Sequence, residues 1–335
     1  MKIAILSPVA WRTPPRHYGP WEQVAWNIAS GVAALGVDVT LYATGDSKSP
    51  GKLESIIEKG YEEDKTADAK VAECMHISYL LERAGEYDLI HNNFDFLPLT
   101  WSRLVKTPMV TTIHGFSSPK IIPVYRRYND RVHYVSISNS DRSSELDYIA
   151  TVYNGIDPSQ FTYREEHGDY LLFFGRIHHD KGAYEAVQIA RAAGIRLLIA
   201  GIVQDEAYYR EKVEPYIDGD RVVYLGSAGP AQRDELLGGA LALLHPINFD
   251  EPFGLSVAEA MFCGTPVIAF NRGSMPELIS HGNTGFLAGS VEEAAELAGR
   301  TGELSRHLCR ERAMANFSLE RMAAGYLEVY RKILG

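Results

Sequence analysis

Glu251 and Glu259 stand eight positions apart in the segment E-P-F-G-L-S-V-A-E, a spacing that gives the two carboxylates different duties. Pro252 and Gly254 prevent a helix from running through Glu251, so that residue belongs to a loop. Glu259 falls about one turn into a helix that starts near Leu255. The unpaired N–H groups at that helix start point back towards the loop, where an anion can be held. One short stretch thus offers a carboxylate for hydroxyls, main-chain donors for phosphate and a second carboxylate further in. That set suits a sugar linked to a nucleoside diphosphate.

The segment F-G-R-I-H-H-D-K-G, residues 174–182, leaves a strand and enters a helix. Arg176 and Lys181 lie at the strand's carboxyl end, where two cations can face a diphosphate. A solvated basic loop is the plain alternative; the Glu251–Glu259 pair in the same half of the chain favours function. His178 and His179, followed by Asp180, read as surface histidines or as histidines that support a site without touching its ligand. Adjacent side chains in a loop seldom converge on one ion, and spacing suggests no third ligand.

In the first half, V-T-T-I-H-G-F places His114 just past a strand, where a histidine either serves structure or hydrogen-bonds a sugar hydroxyl or departing phosphate. P-R-H-Y-G-P-W-E-Q carries Gly19 next to a helix N-terminus, a second anion cradle or an ordinary turn. I-H-N-N-F-D-F-L-P ends another strand with Asn93 and Asp95 beside Phe94 and Phe96. Such a mixture either grips a carbohydrate acceptor or forms a locally satisfied loop. Trp11, His17 and Trp21 are candidates for another wall of that cavity. Asn154 and Gly155 form a turn, and Asp157 is a candidate hinge.

The elements needed to position these groups are short apolar runs alternating with amphipathic stretches, the pattern of parallel sheets covered by helices. Strands are expected at residues 3–7, 37–43, 89–91, 109–113, 132–137 and 151–153, then at 171–174, 195–200, 222–225, 241–245 and 267–270. Helices are expected at 22–35, 183–193, 206–216, 231–238, 255–263 and 319–334, while 45–70 reads in part as a surface excursion. The turn-rich segment 157–169 reads as a linker. The expected architecture is α/β: two facing Rossmann-like domains, residues 1–160 with 318–335 and residues 168–317, with ligands at the carboxyl ends of the strands.

A chain of 335 residues with 46% apolar content supplies two cores. Its net charge of −10 argues against nucleic acid and gives no indication of membrane association. Cys74, Cys263 and Cys309 are widely spaced, without metal-binding spacing, as expected of reduced thiols in a cytoplasmic protein. The first residues are too short an apolar run for a signal peptide.

Taken together, G-R-I-H-H-D-K-G, N-G-I-D, E-P-F-G-L-S-V-A-E-A-M, G-T-P-V, G-S-M-P-E-L-I and G-N-T-G-F-L resemble, in order, glycosyltransferase family 4, the retaining enzymes of GT-B fold. Within that family the look is that of bacterial avilamycin-pathway-like sugar transferases. The resemblance implies that Arg176 and Lys181 neutralise the donor diphosphate. Glu251 would contact hydroxyls of the transferred sugar with main-chain help from Phe253 and Gly254. Leu255 and Ser256 would offer amides to the phosphates, and Glu259 would hold the ribose. His114 would lie beside the transferred sugar and Gly19 beside the phosphates. Pro20 replaces the second glycine common in that loop and removes one donor. The C-terminal helix is implied to return to the first domain. Acceptor-side candidates are His17, Trp21, Asn93 and Asp95.

The expected reaction moves a hexose from a UDP-glucose-type or GDP-mannose-type donor to a hydroxyl of a saccharide, lipid-linked or small-molecule acceptor. It would proceed with retention, by front-face attack, and with no cofactor or metal required, because the cations take that role. A phosphorylase or epimerase on the same fold, and a non-catalytic nucleotide-sugar binder, are the competing readings. A Rossmann dehydrogenase is disfavoured because no G-x-G-x-x-G follows the first strand.

Overall fold

The computed structural model describes residues 1–16, 19–115 and 118–335. The chain divides into two units, Met1–Gly155 with Leu319–Gly335, and Ile156–Ser318.

The first unit is built on a seven-stranded parallel sheet of order β3-β2-β1-β4-β5-β6-β7. Its strands are β1 (Lys2–Leu6), β2 (Asp38–Tyr42), β3 (Lys52–Glu54), β4 (Leu89–Asn92), β5 (Met109–Ile113), β6 (Val132–Ser136) and β7 (Tyr148–Thr151). The central runs are apolar on both faces because helices cover both: Ile3, Ala4 and Ile5 are fully buried. Helix α1 (Pro20–Ala34) starts with proline in its first turn, where the missing N–H costs nothing. α2 (Ala69–Leu81) and α3 (Ile122–Arg127) follow. The expected strand at 151–153 lies instead at Tyr148–Thr151, an edge strand whose residues are only half-buried, so its apolar signal is weak. The stretch 45–70 lies largely at the surface, but parts of it are tied to the sheet. β3 pairs with β2, and the amides of Tyr61 and Glu62 donate to the carbonyls of Val9 and Ala10.

The second unit holds a six-stranded parallel sheet of order β10-β9-β8-β11-β12-β13. The strands are β8 (Tyr170–Phe174), β9 (Arg196–Ala200), β10 (Val222–Tyr224), β11 (Ala242–His245), β12 (Val267–Phe270) and β13 (Gly285–Ala288). Its helices are α4 (Ala183–Ala193), the single turn α5 (Glu206–Tyr208), α6 (Pro230–Gly239), α7 (Leu255–Phe262), α8 (Met275–Leu278), α9 (Val291–Ala298) and α10 (Arg306–Phe317). The continuous helix expected over 206–216 is broken: α5 passes into a π turn and then a 3-10 turn at Glu214–Tyr216, where Pro215 cannot continue the ladder. The segment read as a linker packs on this unit. Phe161 is buried and stacks on Phe262, and Thr162 donates its amide to Asp234.

The last helix, α11 (Leu319–Leu334), belongs to the first unit. It buries Met322, Ala323, Tyr326, Val329 and Tyr330. Tyr330 Oη lies 2.7 Å from His91 Nδ1, and Tyr326 Oη lies 2.8 Å from Thr112 Oγ1, so its polar tips are satisfied by the strand ends it covers. Among the described residues no helix is long and apolar enough to cross a membrane.

Candidate active site

In the second unit the strand order reverses between β8 and β11, the place where sheets of this kind take ligands at the carboxyl ends of their strands. Two loops meet at that switch point, 175–182 after β8 and 246–254 after β11, and the backbone joins them. Asn248 donates its amide to the Asp180 carbonyl at 2.7 Å and its side-chain nitrogen to the His179 carbonyl at 3.0 Å. Gly182 sits at φ +75°, and a Cβ there would stand 1.9 Å from the Pro246 carbonyl oxygen. Only glycine allows so close an approach in that conformation.

The joined loops bring Lys181 and Glu251 together: the ammonium donates directly to the carboxylate. His245, at the end of β11, places Nε2 3.6 Å from Glu251 Oε2. Burial pushes the Glu251 carboxyl up, but the His245 imidazole and the Lys181 ammonium outweigh it and hold the group down at about 2. At 3.6 Å the imidazole is beyond hydrogen-bond range, so Lys181, in direct contact, takes the larger share. Burial also lowers the pKa of His245, which keeps it neutral.

Beyond Glu251 the loop is pinned by Ser274, whose amide donates to the Glu251 carbonyl at 2.9 Å and whose hydroxyl donates to the Phe253 carbonyl at 2.7 Å. Phe253 turns its ring into the unit's interior, edge-on to Phe317, which leaves only main-chain groups for a ligand. Gly254 caps α7 at φ +91°, with Met275 Cε 2.8 Å from where a Cβ would stand. The amides of Leu255 and Ser256, the first residues of α7, donate to no protein group among the described residues. Glu259, further along α7, accepts from Arg233 Nη1 at 3.0 Å. Burial raises its pKa and the Arg233 charge works against that. Arg176 reaches a different partner and donates to Gln204 Oε1. The structure therefore joins Lys181 with Glu251, while Arg176 and Glu259 each have a separate neighbour. His245, Arg233 and Gln204 were not singled out from sequence. His245 carried the same signal as His114, a histidine closing an apolar strand, whereas the other two are tertiary pairings.

In the first unit, Asn93 and His114 meet at the ends of β4 and β5, with His114 Nε2 3.0 Å from Asn93 Oδ1. Burial drives the His114 pKa down to about 3, so the ring is neutral. With Nε2–H given to Asn93, Nδ1 carries the lone pair, and both it and Asn93 Nδ2 are buried with no partner among the described residues. Trp21 stacks on His114 at 6.2 Å between ring centroids. Asp95 is drawn away from this pair: its backbone is left-handed, at φ +83°, and its carboxylate accepts from the Tyr125 hydroxyl. Gly19 takes φ +148° against Glu22, a buried carboxyl that desolvation pushes up to about 7. His17 lies outside the described residues. Among the described residues, His178, His179 and Asp205 bring candidate ligand atoms within 4.8 Å of one another, but the Asp180 amide already donates to His178 Nδ1 at 3.3 Å.

Residues 159–307 match the family model described as glycosyl transferases group 1, and residues 21–160 match that of glycosyltransferase family 4. The chain is 28% identical to N-acetyl-alpha-D-glucosaminyl L-malate synthase of Bacillus anthracis, over 68% of each chain. It superposes on AviGT4, a glycosyltransferase involved in avilamycin A biosynthesis, with a TM-score of 0.74 and 25% identity, covering 100% of this chain and 98% of that one. A likeness of fold extends to HepE of Anabaena in complex with UDP and glucose, at a TM-score of 0.76 and 19% identity, covering 98% of this chain and 99% of that one.

Proposed function

Because this chain belongs to glycosyltransferase family 4 and is a GT-B transferase, we propose that it moves a hexose from a nucleoside diphosphate sugar to a hydroxyl acceptor, with retention and without a metal. The observation that carries the proposal is the Lys181–Glu251 pair beside the open amides of α7 at the switch point of the second unit. Glu251, ionised by its neighbours, accepts hydrogen bonds from hydroxyls of the transferred sugar. Leu255 and Ser256 give their amides to phosphate, and Glu259 receives the ribose hydroxyls. Arg176 and Lys181 face the charge that develops on the departing diphosphate.

In the reaction the bond from the anomeric carbon to the phosphate oxygen breaks. The acceptor oxygen bonds to that carbon on the same face, and the acceptor proton passes to the departing phosphate. Charge grows on the diphosphate as the bond opens, so cations and helix amides stabilise the transition state more than the ground state. Neutral His114, through an Nδ1 that has no partner among the described residues, accepts from a sugar hydroxyl, and Asn93 and Trp21 supply polar and flat apolar contacts for carbohydrate. HepE binds UDP and, in another structure, UDP-glucose, so UDP-glucose is the first donor to test, with GDP-mannose beside it. Donor turnover with a panel of simple acceptors, run in EDTA and followed by proton NMR of the product's anomeric centre, tests the reaction. An inverted product, or loss of turnover on chelation, overturns the mechanism.

A further inference from the structure

Lys181 and His245 address the same oxygen. The ammonium donates to Glu251 Oε2, and His245 Nε2 stands 3.6 Å from that atom, short of hydrogen-bond contact. His245 is 5% exposed, and its Nε2 is buried with no hydrogen-bond partner among the described residues. A histidine that only filled the core would not leave a polar atom in that state, because buried polar atoms are normally paired. Of the two neutral tautomers, one turns an Nε2–H to the carboxylate and the other a lone pair, so the first is favoured. A hydrogen-bond donor thus stands in reserve behind the ion pair.

Both backbones are fixed. His245 is in register opposite Ala269 of β12, and the Glu251 carbonyl accepts from the Ser274 amide at 2.9 Å. Closing the 3.6 Å gap to a hydrogen bond takes a shift of about 0.7 Å, within reach of side-chain rotation. Among the described residues, the ionisable groups that act on the Glu251 carboxyl are His245 and Lys181, and those that act on His245 are Glu251 and Lys181. In the proposed reaction Lys181 has a second task, because a diphosphate carries more negative charge than one carboxylate and competes for the ammonium. We propose that His245 is a positioning residue: as the diphosphate draws Lys181 off, Nε2–H takes over Oε2 and keeps Glu251 aimed at the hydroxyls of the transferred sugar. The assignment rests on the nucleotide-sugar reading of this site. The imidazole brings a hydrogen bond and no charge, so it orients the carboxylate without replacing the ion pair.

This handover is measurable with and without a substrate. Methionine and glutamine at position 245 share a length and differ in the N–H they can offer near the Nε2 position. In urea unfolding, His245→Met and His245→Gln should stand close together while Lys181 is present. In the Lys181→Met background the glutamine should unfold at the higher midpoint, because the carboxylate then depends on position 245. With UDP-glucose or GDP-mannose, the acid limb of kcat reports the complex and that of kcat/KM the free enzyme. His245→Met should move the kcat limb up by about one pH unit, the size of one hydrogen bond to a charged group. His245→Gln should return it, and the kcat/KM limb should stay because Lys181 still holds Oε2. A methionine–glutamine gap equal in both backgrounds, or kcat limbs that coincide for the two variants, overturns the role of His245 while transfer itself stands. A gap that widens in a protein that turns over no nucleoside diphosphate sugar keeps His245 as the second partner of Glu251 and overturns the proposed reaction instead.

Discussion

The Lys181 ammonium rests against the Glu251 carboxylate, although the two side chains come from separate loops after β8 and β11. The pair sits in a nearly closed setting, with 16% and 12% of the side chains exposed, and the Lys181 ammonium helps hold the Glu251 carboxyl ionised. Lys181→Ala should therefore do more than remove a cation. It leaves a buried carboxylate unpaired, and a loss of about 3 kcal/mol is expected. Lys181→Ala/Glu251→Ala should cost less than the two single changes added together, because they share one interaction. Urea unfolding of the four proteins measures this, and strict additivity would refute the coupling.

The same pair sets an acid limit. The folded pKa of Glu251 is depressed to about 2, below an ordinary glutamate. Its contribution to stability is thus present above about pH 4.3 and is lost as the pH falls towards 2. Glu251→Gln should flatten the fall in melting temperature across that window. A variant profile parallel to the wild type would count against the pairing.

Glu22 has the opposite sign. Its folded pKa is raised to about 7 by burial, so its contribution is full below the unfolded value and is lost as the pH rises through 7. Glu22→Gln keeps an acceptor for the Trp11 amide, which donates at 3.2 Å. The variant should match the wild type near pH 4 and exceed it at pH 8, by up to a limit on the order of 3 kcal/mol. Melting curves at the two pH values decide the matter; equal gains at both would assign the effect to something other than ionisation.

Arg233 donates to Glu259, the carboxylate proposed to receive the donor ribose. Arg233→Ala should let the Glu259 carboxyl rise further and lose its aim at the ribose. The expected signature is a donor KM higher by about tenfold with little change in kcat, since a ribose contact serves ground and transition states alike. A fall in kcat at constant KM would place Glu259 elsewhere in the reaction.

Gly182→Ala should pry apart the two loops that meet at the Pro246 carbonyl. Positive φ and the 1.9 Å approach together predict a destabilisation of at least about 1–3 kcal/mol. Activity should fall with it, because Lys181 is the neighbouring residue. Full activity in a stably folded variant would show that the loop junction is dispensable.

Much of this site was legible because its residues sit at strand ends and helix starts, places that glycine, proline and apolar runs mark in sequence. Glu251, Glu259 and Lys181 fell on the elements expected of them. Pairings were not legible. Arg233 reaches Glu259 from α6, and Asp205 reaches His179 from the loop after β9, which no local spacing encodes. Missed elements share a cause as well. α2 buries Ala72, His76, Ile77 and Leu80, a stripe with few large apolar residues, and the edge strands β3 and β7 are half-exposed.

The central claim is that the second unit's Lys181–Glu251 site binds a nucleoside diphosphate sugar. Thermal unfolding of the wild type and of Lys181→Ala in EDTA, with UDP, GDP, ADP and their sugars, tests it most directly. At 100 times its dissociation constant a true donor adds about 2.7 kcal/mol to folding. The account predicts that at least one nucleoside diphosphate sugar raises the wild-type melting temperature and that Lys181→Ala loses most of that rise. No shift with any of them, or an equal shift in the variant, would contradict it.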